Sequence, residues 1–160
     1  MRIMGIDPGI AVTGYGMVDR AGNRLLPVKY GCLRSASDMP QHLRLRKLYQ
    51  GLAQLLIDYK PDCLAIEELF FNRNVRSAML VGQAHGVALL AAADAGIEVY
   101  EYTPLQVKQA VVGHGRAEKR QVQWMTRIIL GLGEMPRPDD AADALAVAIC
   151  HANRSRSWGV

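Results

Sequence analysis

The sequence predicts an α/β domain built on a five-stranded mixed sheet flanked by helices. Three observations carry that prediction. Short apolar runs separated by turn residues fill the chain up to Leu33, whereas segments of helical periodicity alternate with single strand-like runs beyond it. No internal repeat, low-complexity tract or interdomain linker interrupts this order. The 160 residues suffice for one core and not for two, so residues 1–160 are expected to be one domain with a frayed tail at its end.

The elements follow in order. Arg2 to Asp7 is apolar and ends in Pro-Gly, which reads as a strand. Tyr15 to Asp19 and Leu25 to Leu33 come next, each after turn residues: Gly14 for the first, Gly22-Asn23 for the second. Together they make a three-stranded antiparallel meander. Leu43, Leu48, Leu52, Leu55 and Leu56 recur at helical spacing from Pro40 to Tyr59, and Lys60-Pro61 stops that helix. Cys63 to Ile66 is a buried strand leading into Glu67-Glu68. Asn74 to Ala95 is a long Ala-rich helix closed by Gly96, and Glu98 to Tyr102 is the fifth strand. Thr103-Pro104 opens a short helix as N-cap and first helical residue. The loop Gly113 to Gly115 leads to a helix over about Ala117 to Leu130, and the last helix covers Asp139 to about Asn153.

Half of the residues are hydrophobic and about a fifth are charged, the balance of a soluble globular protein. The most apolar stretch, Ala78 to Val99, is broken by Gln83, His85, Asp94 and three glycines, and reads as a buried helix plus a turn. The first strand starts without a signal-peptide apolar region before it, so the expected location is cytoplasmic, with no membrane partner. Cys32, Cys63 and Cys150 are far apart among apolar neighbours and read as reduced core thiols. The formal charge is +4. That excess doubles on the rest of the molecule if four of its acids are gathered in a metal site, and a polyanionic partner then becomes the natural expectation.

Four acids deserve separate treatment. Asp7 and Glu67 each stand at the carboxyl end of a strand, where ligand sites of such sheets lie. Turn chemistry explains Asp7-Pro8-Gly9 taken alone, and strand emergence explains Glu67 taken alone. As a pair on adjacent strands they could share a cation. Alternation puts Ile3, Gly5 and Asp7 on one face, likewise Cys63, Ala65 and Glu67, and turns Glu68 away to solvent. Asp140 and Asp143, three apart, share a face of the last helix, and Asp139 reads as its N-cap. Beyond Asp143 that helix is apolar all round, so it is buried, and no Lys or Arg follows at i+3 or i+4 to neutralise Asp143. A metal is the expected partner. Carboxylates without His or Cys beside them select a hard cation: Mg²⁺, with Mn²⁺ as substitute, rather than zinc. Such a set suits two ions per site, one activating water and one stabilising the leaving oxygen of an in-line displacement.

Gly5-Ile6-Asp7-Pro8-Gly9 followed by Thr13-Gly14-Tyr15-Gly16 resembles the opening of the RuvC Holliday-junction resolvases. Ala65-Ile66-Glu67 with Phe70 nearby, Gln106-Val107-Lys108-Gln109, Ala117-Glu118-Lys119 and Asp140-Ala141-Ala142-Asp143-Ala144-Leu145-Ala146 are similar to the same family in the same order. Essentially the whole chain is covered. The resemblance implies a ribonuclease-H-like fold and a two-fold homodimer. It also implies paired symmetric nicks in four-way junction DNA, leaving 5′-phosphate and 3′-hydroxyl ends. By position it makes Asp7, Glu67, Asp140 and Asp143 the catalytic metal ligands, with Lys108 and Lys119 on DNA and Lys119 at the cleaved phosphate. Phe70 is then the ring that stacks at the junction centre. Phe71 and Glu68 make this segment bulkier and more acidic than the family pattern, and leave the choice between Phe70 and Phe71 open. A branch-migration motor is the family's usual partner.

Other residues fit a DNA surface. Arg73, Asn74 and Arg76, with Asn72 and Ser77, read either as loop and cap chemistry or as phosphate contacts, and the aromatic pair beside them favours DNA. Arg116, Lys119 and Arg120 put positive charge at a helix start, where the dipole disfavours it, so an anion is the better account. His114 between its two glycines reads either as incidental or as a second phosphate contact. Arg44, Arg46 and Lys47 read as a solvated face. Gly82 and Gly86, four apart on the long helix, allow close approach of another helix, either within the monomer or across the dimer that the resemblance implies. Three other readings compete with that of a resolvase. A nucleotide-binding domain of the actin and sugar-kinase type shares Asp-x-Gly but needs two copies of the fold. A non-catalytic DNA-binding module leaves the four acids unexplained. A nuclease of the same fold acting on RNA–DNA hybrid or other branched nucleic acid is the closest alternative.

Overall fold

The computed structural model describes residues 1–69 and 74–155. Phe70, Phe71, Arg73 and the tail expected to fray lie outside the described residues. One sheet organises the rest. Its strands are β1 (Arg2–Asp7), β2 (Val12–Ala21), β3 (Arg24–Arg34), β4 (Cys63–Glu67) and β5 (Glu98–Tyr102), in the order β3-β2-β1-β4-β5. β1, β2 and β3 form the expected antiparallel meander, while β1–β4 and β4–β5 are parallel. The helices are α1 (Gln41–Tyr59), α2 (Val75–Asp94), α3 (Pro104–Val112), α4 (Lys119–Leu130) and α5 (Asp139–Arg154).

Alternation along the strands divides the core into two layers. Ile3, Cys63 and Ala65 pack with α3, α4 and α5, whereas Met4, Ile6, Leu64 and Ile66 pack with α1 and α2. α5 is buried from Ala144 to Ala152 without interruption, as its apolar surface requires. Helix ends follow local chemistry. Thr103 caps α3 through its side chain in a capping box with Gln106, and Pro104 begins the helix. Gly113 and Gly131 close α3 and α4 in the left-handed conformation that a side chain disfavours. Cys63 and Cys150 are buried, Cys32 is half-buried, and all three are free thiols.

Four expectations need correction. β2 begins at Val12, so Gly14 lies within a strand, paired with Asp7 and Cys32, and is not a turn residue. α2 is buried along one face only: Val75, Met79 and Leu90 are exposed, and the helix is long and apolar enough to span a membrane by length and composition. Asp139 is the first helical residue of α5 rather than its cap, a position where a carboxylate still meets the positive end of the helix dipole. Arg44 is not solvated; it is half-buried and its Nε donates to Ser35 Oγ at 2.9 Å.

Candidate active site

The parallel register Ile6↔Ile66 brings the carboxyl ends of β1 and β4 side by side, with Asp7 and Glu67 next along each strand. Adjacent strands lie about 4.8 Å apart, so these two acids are neighbours. On its other side Asp7 faces Gly14 of β2. A Cβ at Gly14 would stand 1.9 Å from the carbonyl oxygen of Asp140 and 2.9 Å from its Cβ. The first turn of α5 therefore rests directly on the backbone of β2, and Asp140 stands over the position across from Asp7. Gly5 and Gly16 extend the same seat: a Cβ would come within 2.0 Å of Ala144 O at the first and 2.6 Å of Leu145 Cγ at the second. Asp143 follows one turn along α5 on the same face as Asp140.

Electrostatics show how closely the four gather. Burial pushes the Asp7 carboxyl up to about 8, and Asp143, Asp140 and Glu67 add to the shift while Lys119 opposes it. Burial and the charge of Asp143 raise Glu67, against the pull of Lys108 and Lys119. Asp143 is also raised, by burial first, although Lys119 works in the opposite sense. Lys119 Nζ lies 3.2 Å from Asp143 Oδ2. Burial acts against the ammonium charge, but Asp143, Asp139 and Asp7 outweigh it and raise the Lys119 pKa. This pair corrects the argument that Asp143 has no base to neutralise it. The base comes from the start of α4, not from the turns of α5 that follow Asp143.

The donor set fits a hard divalent cation. Its ligands are carboxylate oxygens, and the neighbouring negative charge that adds to the effect of burial on Asp7 is what such an ion would relieve. Among the described residues, no three His, Cys, Asp or Glu side chains are drawn tight enough to form a finished metal shell. The acids are brought to one place by three elements, with Lys119 as the cation among them.

The loop after Asp7 is fixed by groups that sequence reasoning did not single out. Thr13 is buried; its hydroxyl donates to Gly9 O and accepts from Gly9 N at 3.1 Å. Ser35 Oγ donates to Ile10 O at 2.7 Å and is itself held by Arg44. Thr13 stands in the Thr13-Gly14-Tyr15-Gly16 motif, so the signal was present, but only the fold turns its hydroxyl back onto Gly9. Cys32 also borders the site, where Asp140 and Asp7 join burial in raising its thiol.

The remaining candidates differ in how near they come. Lys108 is close enough to act on Glu67. Arg116 and Arg120 are exposed around the start of α4, and Arg76 is exposed in the first turn of α2. Asn74 caps α2 by accepting from Ser77 N at 3.2 Å, which is the cap chemistry considered for it.

Residues 3–151 match the family described as Crossover junction endodeoxyribonuclease RuvC. A protein of that description from Desulforamulus reducens is 60% identical over 159 residues, 99% of this chain and 98% of its own. Another, from Heliobacterium modesticaldum, is 57% identical over 160 residues, covering 100% of this chain and 98% of the relative. The Thermus thermophilus RuvC structure superposes with a TM-score of 0.92 at 40% identity, over 99% of this chain and 97% of that one. The same protein in complex with Holliday junction substrate gives 0.93 at 40% identity, over 99% and 96%.

Proposed function

This chain belongs to the crossover junction endodeoxyribonuclease RuvC family, and from that premise we propose that it resolves four-way DNA junctions at the carboxylate site. It is a hydrolase with the family's ribonuclease-H-like fold, a Holliday-junction resolvase of recombination and repair. The observation that carries the site assignment is the convergence of Asp7, Glu67, Asp140 and Asp143 from β1, β4 and α5 beside Lys119.

The family implies a divalent metal. We assign Mg²⁺ to this chain, with Mn²⁺ as a substitute, held by the four acids as two ions. Bound there, the ions would supply water activation and stabilisation of the leaving 3′ oxygen, giving 5′-phosphate and 3′-hydroxyl ends. The chain's own residues do the rest. Asp7 and Glu67 are anchored in the sheet and define one wall; Asp140 and Asp143 ride on a helix that cannot shift without displacing the core. Lys119, kept charged by Asp143 and the other acids around it, is placed to hold a phosphate oxygen, while Asp143 would be one of the residues holding a cation. Lys108, Arg116 and Arg120 carry the backbone around the site, and Asn74 and Arg76, exposed at the start of α2, contact the DNA nearer the junction centre.

We further propose that residues 1–160 act as one nuclease domain in a homodimer formed through α2. Val75, Met79 and Leu90 are exposed there, and among the described residues a Cβ at Gly86 would meet nothing within 4 Å, so none of them packs on this glycine. A two-fold dimer suits two symmetric nicks. The expected setting is the bacterial cytoplasm, with a branch-migration motor on the same junction and no membrane.

Amide replacements test the ligand set. Asp7→Asn, Glu67→Gln, Asp140→Asn and Asp143→Asn should each abolish cleavage while junction binding, followed by gel shift in Ca²⁺, survives. Retained cleavage in two of the four would show that the metal is held elsewhere.

A further inference from the structure

A pocket of about 470 Å³ opens beside the carboxylates, between α4 and the turn that leads into α5. Its lining includes Lys119, Arg120 and Gln123 from α4, Met135 and Arg137 from the turn, and Asp139 from the start of α5. Two of these residues tie it to the site already described. Lys119 is the partner of Asp143, and Asp139 directly precedes Asp140. The volume falls within the range that encloses a small ligand. A nucleotide adjoining a phosphate held at the carboxylates would lie there.

The lining is cationic and polar in the manner of a strand contact. Three bases face one acid, and Arg120 and Arg137 form no ion pair among the described residues. Gln123 has a buried amide nitrogen with no hydrogen-bond partner among the described residues, an unmet donor in a place where donors are ordinarily satisfied. Rotation of the terminal amide would present both donor and acceptor to a base edge. The turn itself is braced, because Arg127 donates to Gly133 O at 3.2 Å while its guanidinium lies over Trp124.

We propose that this pocket receives the nucleotide next to the scissile phosphate, with Arg137 and Arg120 on its backbone and Gln123 reading its base. The inference rests on the resolvase reading and deepens it: Gln123 becomes a determinant of cleavage sequence and Arg137 a phosphate contact. Neither role follows from the carboxylates, Lys108 or Lys119.

The test uses full-length protein and a four-way junction library randomised on both sides of the cut, with products sequenced. Gln123→Ala should lower the base preference at one position adjoining the cut by about tenfold, leaving the other positions as in the wild type. Arg137→Ala should weaken junction binding about tenfold and reduce the slope of log affinity against log salt by about one. Arg24→Ala, an exposed arginine at the start of β3, is the control and should change neither readout. Thermal melting establishes that each variant is folded. Wild-type profile and salt slope in both variants would overturn the proposal, as would an even loss of preference across all positions, which marks a purely structural role. Failure of the wild type to cut the junction would count against the resolvase reading instead, and the salt slope of junction binding would still decide the pocket.

Discussion

Asp7 concentrates the chemistry of the site in one proton. Its carboxyl is held at about 8 by burial and by three other acids, whereas in the unfolded chain it ionises near the ordinary carboxylate range. Between those limits the folded protein keeps a proton that the unfolded chain has released. That contribution to stability is complete below the ordinary range and is lost as pH rises through about 8. Glu67 and Asp143 are shifted in the same direction. In metal-free buffer the melting temperature should therefore fall by roughly 5–10 °C from pH 6 to pH 9. Asp7→Asn should flatten this dependence, and added Mg²⁺ should stabilise the wild type most at the alkaline end. Differential scanning calorimetry across that range decides it; a melting temperature that climbs with pH would contradict the assignment. Asp7, Glu67 and Asp143 were legible in the sequence because strand ends and a buried helix mark a carboxylate as out of place. Lys119 was legible as a basic residue but not as the partner of Asp143, since their meeting depends on how α4 and α5 pack.

At the scale of elements, the closeness of α5 to β1 and β2 creates the site. Gly5, Gly14 and Gly16 remove the side chains that would hold the helix away, and the helix carries Asp140 and Asp143 down to the strand ends. Gly14→Ala would place a methyl group on the Asp140 backbone, where something must shift. The expected result is a folded protein destabilised by about 1–3 kcal/mol, with cleavage lost because Asp140 is displaced. Urea unfolding and junction cleavage read the two effects, and full activity in a stable variant would refute this account of the helix seat. Element positions themselves were written plainly in the chain. The Thr103-Pro104 start, the Lys60-Pro61 stop and the β5 bounds rest on local chemistry and coincide with the structure. Gly14 misled because a glycine that admits a helix and a glycine that makes a turn look alike, and what covers it comes from the far end of the chain.

At the scale of the whole molecule, the proposed dimer would add symmetry. α2 packs against the core with Ala84, Ala88 and Ala91 and leaves Val75, Met79 and Leu90 to solvent around Gly86. Its apolar composition suggested burial, but the described residues bury it along one face only; in the proposed dimer a second copy would cover the rest. Gly86→Glu adds a charged side chain where the described residues leave open space. It should give a folded monomer by sedimentation velocity, and an unchanged dimer would place the interface elsewhere. The central claim is that this carboxylate site resolves junctions. Its most direct test is cleavage of an end-labelled mobile four-way junction with Mg²⁺, set against linear duplex and RNA–DNA hybrid, with a metal-free sample and Asp7→Asn as controls. Paired symmetric nicks in the junction alone, absent from both controls, are the predicted result. Cleavage of the hybrid with the junction spared, or no metal-dependent cleavage of any substrate, would contradict it.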